Sequence, residues 1–226
     1  MSSIKENLYR VMERIERAAL RSGRDPKGVK LVAVSKTVEV DRIREAIEAG
    51  ASILGENYVQ EAKEKIEEIG RQVAWHFIGH LQTNKAKYAA GLFDMVHSVD
   101  GVALAEELNR RAEKIDRRIR ILVEVNLSGE VTKFGSEESE VTKLVERILQ
   151  LKNLSLGGLM TMPPYFDDPE MSRPYYVRLR EMKERLVQKG IPLEELSMGM
   201  SNDFEVAIEE GATFVRVGTA IFGPRK

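Results

Sequence analysis

Eight short apolar segments, rich in β-branched residues, recur along this 226-residue chain, and a stretch of helical spacing follows nearly every one. They read VKLVAVS, SILGEN, AWHFIG, DMVHSVD, RIRILVEVNLS, LSLGGLMTM, LEELSMGMS and TFVRVG. Such segments do not alternate apolar with polar residues, so both faces must be covered. That condition is met when parallel strands are joined by helical crossovers. The pattern predicts an α/β fold, a closed (β/α)8 barrel, with SEESEVTKLVERILQL among its helices. One helix precedes the first strand, because Ile4, Leu8, Val11, Met12, Ile15 and Ala19 recur at helical spacing until SGRDP ends the run. A doubly wound open sheet uses the same alternation, but the turn after its first strand needs G-x-G-x-x-G, and VSKTVEVD has no glycine there. No Pro/Gly/Ser-rich linker divides the chain, so residues 1–226 read as a single domain.

Composition removes several functions. Cys is absent, which excludes disulfides, thiolate metal sites and a cysteine nucleophile. A net charge of −1 gives no pull toward nucleic acid. No apolar run reaches the roughly 20 residues of a membrane helix, and MSSIKENLYRVMERIERAAL lacks the apolar centre of a signal peptide. The expectation is a cytoplasmic protein that uses neither membrane nor nucleic acid.

In barrels of this kind the working residues sit at the carboxyl ends of strands and in the loops beyond them. Applied here, that filter selects Lys36, Glu56, Asn57, Gly79, His80, Asn84, Asn126, Ser128, Met160 to Pro163, Met198 to Asp203, Arg216, Gly218 and Thr219. The last two loops form a pattern. GMSND places Ser201 and Asn202 before the helix DFEVAIEEG, and VGTAIFG places Gly218 and Thr219 after the final strand. Short hydroxyls, glycines and free helix-start N–H groups suit a phosphate, and barrels often bind one after strands seven and eight. Either loop alone reads more simply as a helix cap or a turn, but both falling in the right places favours the phosphate. PPYFDDPEMSRP is long enough to act as a lid or rim element.

Lys36 ends an apolar strand, and a lysine is rarely buried without a reason. In a dry site its pKa falls, and the free amine becomes a nucleophile toward an aldehyde. The alternative is a side chain that snorkels out of the barrel mouth. His76 and His80 span a strand and its end, so their imidazoles do not share a face, and a metal is not expected.

The blocks VAVSK, GENYVQE, WHFIGHLQTNK, GLMTM, LSMGMSNDFEVAIEEGAT and VRVGTAIFG resemble the pyridoxal 5′-phosphate homeostasis protein family from about residue 4 onward. The resemblance implies a barrel related to the N-terminal domain of alanine racemase, with pyridoxal 5′-phosphate (PLP) held as an internal aldimine on Lys36. It places Asn57 beside the ring or its 3-hydroxyl, and Ser201, Gly218 and Thr219 on the phosphate. Arg216 would face the pyridine nitrogen, with Met200 and Met160 lining the ring pocket.

A guanidinium opposite the pyridine nitrogen disfavours protonation there, and so weakens the ring as an electron sink. The racemases that this fold resembles also take a second base from a further β-domain, and this sequence ends after VRVGTAIFGPRK. The expectation is a non-catalytic PLP carrier, a monomer that buffers the cofactor or passes it to PLP-dependent apoenzymes. Two alternatives stay open: a small racemase whose second base is Tyr58, Tyr165 or His80, and a Schiff-base aldolase in which Lys36 attacks a sugar phosphate.

Overall fold

The computed structural model describes residues 3–130 and 134–224. Eight parallel strands close into a barrel: β1 (Lys30–Val34), β2 (Ile53–Glu56), β3 (Ala74–Phe77), β4 (Met95–Val99), β5 (Ile119–Asn126), β7 (Leu154–Met160), β8 (Glu195–Ser197) and β9 (Phe214–Val217). The two-residue β6 (Ser136–Glu137) lies outside this ring, paired to the end of β5. β1 pairs with both β2 and β9, and β4 with β5, so no barrel strand keeps an open edge. The eight-segment pattern therefore resolves as expected.

Helices follow the strands as crossovers: α2 (Val40–Glu48), α3 (Val59–Ile69), α4 (Ala86–Leu92), α5 (Val102–Glu113), α6 (Val141–Leu149), α7 (Arg173–Gln188) and α8 (Phe204–Glu209). Before them all, α1 (Ile4–Arg21) starts in a capping box, where Ser3 Oγ accepts from Glu6 N and the Glu6 carboxylate accepts from Ser3 N. Its apolar stripe buries Ile4, Leu8, Val11 and Ile15, each contributing about 1.5–3 kcal/mol. Arg14 reaches α8 with two bonds to Glu205, at 2.6 and 2.9 Å, and lies over the Phe204 ring. The leading helix thus braces the last βα unit. Among the described residues no helix is long and apolar enough to cross a membrane.

Two segments depart from the pattern. SEESE does not open the helix that precedes β7. Gly135, at φ +113°, brings the chain so close to β5 that a Cβ would stand 2.7 Å from Asn126 N. Ser136 and Glu137 pair with that strand, a 3₁₀ turn spans Glu138–Glu140, and α6 begins only at Val141. After β9, where no element is expected, a four-residue helix α9 (Thr219–Phe222) forms, and Asn7 of α1 donates to Ile221 O at 3.0 Å.

Candidate functional site

At the carboxyl end of the barrel lies a cavity of about 630 Å³. Lys36, Asn57, Met200, Ser201, Arg216, Gly218 and Thr219 all line it, drawn from the ends of β1, β2, β8 and β9. Met160 does not. It is fully buried in the barrel interior with Val34 and Ile78, which themselves reach the cavity, so Met160 supports the floor. Tyr165 faces the same space, whereas Tyr58 and His80 line a neighbouring cavity that shares Asn57. His80 stacks on Phe134 and stands 3.4 Å from Asp100, outside the barrel interior that holds His76.

The turn that presents Lys36 is clamped from below. Lys65, on the core-facing stripe of α3 with Ala62, Ile66 and Ile69, donates to Ser35 O at 2.6 Å, Glu56 Oε1 at 2.9 Å and Glu61 Oε1 at 2.6 Å. Its three ammonium donors are therefore all used. Ser35 Oγ donates to Glu56 at 2.6 Å, and Thr37, held at φ +60°, donates its N–H to Glu61. Burial pushes the Glu56 carboxyl above its ordinary range, and Lys65 pulls it back. This clamp is not legible from strand ends alone. Its signal was a lysine inside an apolar helical stripe.

Arg216 is 3% exposed, yet no ion pair reaches it among the described residues. Its guanidinium donates to Ser197 Oγ at 2.6 Å and to Thr161 O at 3.0 Å. Glu124, also interior, carries a carboxyl pushed up to about 7 by burial and by the charge of Asp100, against a smaller opposing effect of Arg216. Both observations describe a site where charge is poorly solvated.

Ser201 does not cap α8, whose N-cap is Asp203. Its hydroxyl turns toward the other loop and accepts long bonds from Gly218 N (3.3 Å), the N-cap of α9, and Ala220 N (3.4 Å) in its first turn. The helix start beside Ser201 is consequently the one after β9. Asp203 ties the rim together: Oδ1 accepts from Met200 N at 2.7 Å, and Oδ2 accepts from Ser172 Oγ at 3.0 Å and Tyr176 OH at 2.7 Å. Asn202 Nδ2 donates to Phe166 O at 2.9 Å, so the PPYFDDPEMSRP loop is fastened to the cavity edge.

Residues 3–226 match the family described as alanine racemase, N-terminal domain. The pyridoxal phosphate homeostasis protein of Aquifex aeolicus is 48% identical over 223 residues, 98% of each chain. That of Escherichia coli K12 is 40% identical over 233 residues, covering 100% of this chain and 98% of its own. Among solved structures, PipY of Synechococcus elongatus with PLP bound superposes with a TM-score of 0.82 at 38% identity, over 94% of this chain and 100% of its own. Alanine racemase of Clostridium difficile shares the fold, with a TM-score of 0.75 at 17% identity over 97% of this chain and 57% of its own. The chain belongs to the pyridoxal phosphate homeostasis proteins of the alanine racemase N-terminal domain family.

Proposed function

We propose that the chain binds PLP in the barrel-mouth cavity, in Schiff-base linkage to Lys36, and serves PLP homeostasis by holding the cofactor and releasing it to PLP-dependent apoenzymes. The observation that carries this reading is the convergence of Lys36, Arg216 and the Ser201–Gly218 cradle on one cavity. The residues fit the group. Among the described residues Asn57 Oδ1 is buried with no hydrogen-bond partner, Arg216 is a buried cation with no carboxylate in ion-pair contact, and the amides of Gly218 and Ala220 at the start of α9 have only a long bond to Ser201. A phenol-bearing ring with a phosphate tail supplies complementary groups to all three.

In this reading Lys36 Nζ would hold the cofactor through its aldehyde carbon. Ser201 with the amides of Gly218 and Ala220 holds the phosphate, Thr219 borders it, Asn57 meets the ring's polar edge and Met200 packs beside it. When bound, PLP supplies an electron-withdrawing ring. Arg216 limits that capacity, since a guanidinium at the ring nitrogen donates a hydrogen bond without yielding its proton. Binding without turnover is the consequence. A racemase needs a second base held in place across from the lysine. Tyr165, the tyrosine facing this cavity, is 74% exposed, which leaves it in water.

The experiment is borohydride reduction of the protein mixed with PLP, followed by peptide mass spectrometry. The pyridoxyl mass is expected on the peptide carrying Lys36, with visible absorption lost in Lys36→Ala. A label on another lysine, or absorption that survives in the variant, would refute the assignment. Carrier and enzyme separate in two assays: reactivation of an apo-aminotransferase faster than by equal free PLP, against racemisation of alanine at an enzymatic rate.

A further inference from the structure

Two histidines stand where a barrel interior is usually aliphatic. His76 on β3 and His97 on β4 are 5% and 0% exposed, and the edge of Phe214 packs against both. They are joined: His97 Nε2 lies 3.0 Å from His76 Nδ1, and His97 Nδ1 lies 2.9 Å from Ser197 Oγ. Ser197 is the acceptor of Arg216 at 2.6 Å. A single column therefore runs His76, His97, Ser197, Arg216, from the middle of the barrel to the cavity wall.

Its proton order follows from donor capacity. Arg216 only donates, so Ser197 Oγ must accept from it. The serine proton is fully buried and has one acceptor left, His97 Nδ1. His97 then carries its proton on Nε2 and donates to His76 Nδ1. Burial keeps both rings neutral, with His76 lowered to about 4 and His97 lowered well below its ordinary value. Every bond in the column points away from Arg216, and both imidazoles are required for it to do so.

We propose that His97 and Ser197, backed by His76, are positioning residues that fix the rotation of the Arg216 guanidinium, so that its unspent N–H groups face the ring of the bound cofactor. This rests on the PLP reading above and deepens it. Thr161 O at 3.0 Å fixes one end of the guanidinium, and a second point is needed to stop rotation about that contact. The column supplies that point without adding charge. A carboxylate there would neutralise Arg216, and a water could turn.

The test is a PLP titration of the wild type, Ser197→Ala, His97→Leu and His97→Asn, reading the dissociation constant and the absorption maximum, with inorganic phosphate as competitor and thermal midpoint as control. Asn places an amide oxygen near the Nδ1 position and retains the acceptor. Expected are about ten-fold weaker PLP binding and a displaced band for Ser197→Ala and His97→Leu, near-wild-type values for His97→Asn, and phosphate competition unchanged throughout. Ser197→Ala removes one hydroxyl only, so it reports even if His97→Leu does not fold. Wild-type affinity and band in Ser197→Ala would overturn the inference. So would losses that fall equally on phosphate and on His97→Asn. A wild-type protein that takes up no PLP would overturn the PLP reading itself, a result distinct from variants that match a competent parent.

Discussion

The ammonium of Lys65 donates to the carbonyl oxygen of Ser35 at 2.6 Å, so a buried cation on α3 holds the backbone one residue before Lys36. The same ammonium neutralises Glu56, which is fully buried and keeps one oxygen unpartnered. Lys65→Met should therefore cost far more than a methylene-for-ammonium exchange suggests, because it strands a carboxylate. A loss of about 3–5 kcal/mol in urea denaturation is expected. Adding Glu56→Gln to that variant should restore part of it. If the single variant unfolds like the wild type, the clamp contributes nothing to the turn.

Ser201 joins two loops through Gly218 N and Ala220 N. In the proposed site those groups meet a phosphate, and hydrogen bonds to a charged group are worth about 1.5–3 kcal/mol. Ser201→Ala should weaken PLP binding about ten-fold or more, while pyridoxal, which lacks the phosphate, binds as before. Absorbance titrations with the two vitamers measure this directly. An equal loss for both would place the phosphate elsewhere.

Gly199 turns the chain between β8 and the cradle at φ +91°, where a side chain is strained. A Cβ there would stand 2.5 Å from Ala207 Cβ and 2.9 Å from Phe204 Cα. Backbone strain and overpacking together suggest roughly 3 kcal/mol of destabilisation for Gly199→Ala, or a thermal midpoint lower by about 6–12 °C for a chain of this size. A midpoint within 2 °C or so of wild type would show that α8 shifts freely.

The barrel was legible because periodicity and apolar runs are local properties, and each strand carries its own. Site candidates were legible for a similar reason: polar residues at strand ends, such as Lys36 and Arg216, stand out against an apolar run. The partners of these residues were not. Ser197 and His97 are one hundred positions apart and meet only when the barrel closes through β4 and β5. Lys65 looks like an ordinary helix lysine until the heptad-like stripe around it is seen to face inward. The start of α6 lies later than the sequence pattern predicts because local charge favours a helix, whereas the edge of β5 beside Gly135 offers the backbone of Ser136 and Glu137 tertiary partners instead.

Glu124 gives a pH test in which groups that do not act on it cancel. Its folded carboxyl keeps a proton up to about pH 7, because burial and Asp100 outweigh Arg216, whereas an unfolded glutamate ionises near 4.5. Between those values the folded state binds more protons, so this group's contribution to stability falls as pH rises and is spent above about 7. His76 works the other way, since its folded pKa of about 4 lies below the ordinary 6.5, and its contribution is lost as pH falls through that interval. Comparing Glu124→Gln with the wild type leaves His76 common to both. The variant should gain about 2–3 kcal/mol relative to wild type on going from pH 5 to pH 8, read as a shift in the difference between urea midpoints. Parallel profiles at the two pH values would mean that Glu124 ionises as freely in the barrel as in the unfolded chain.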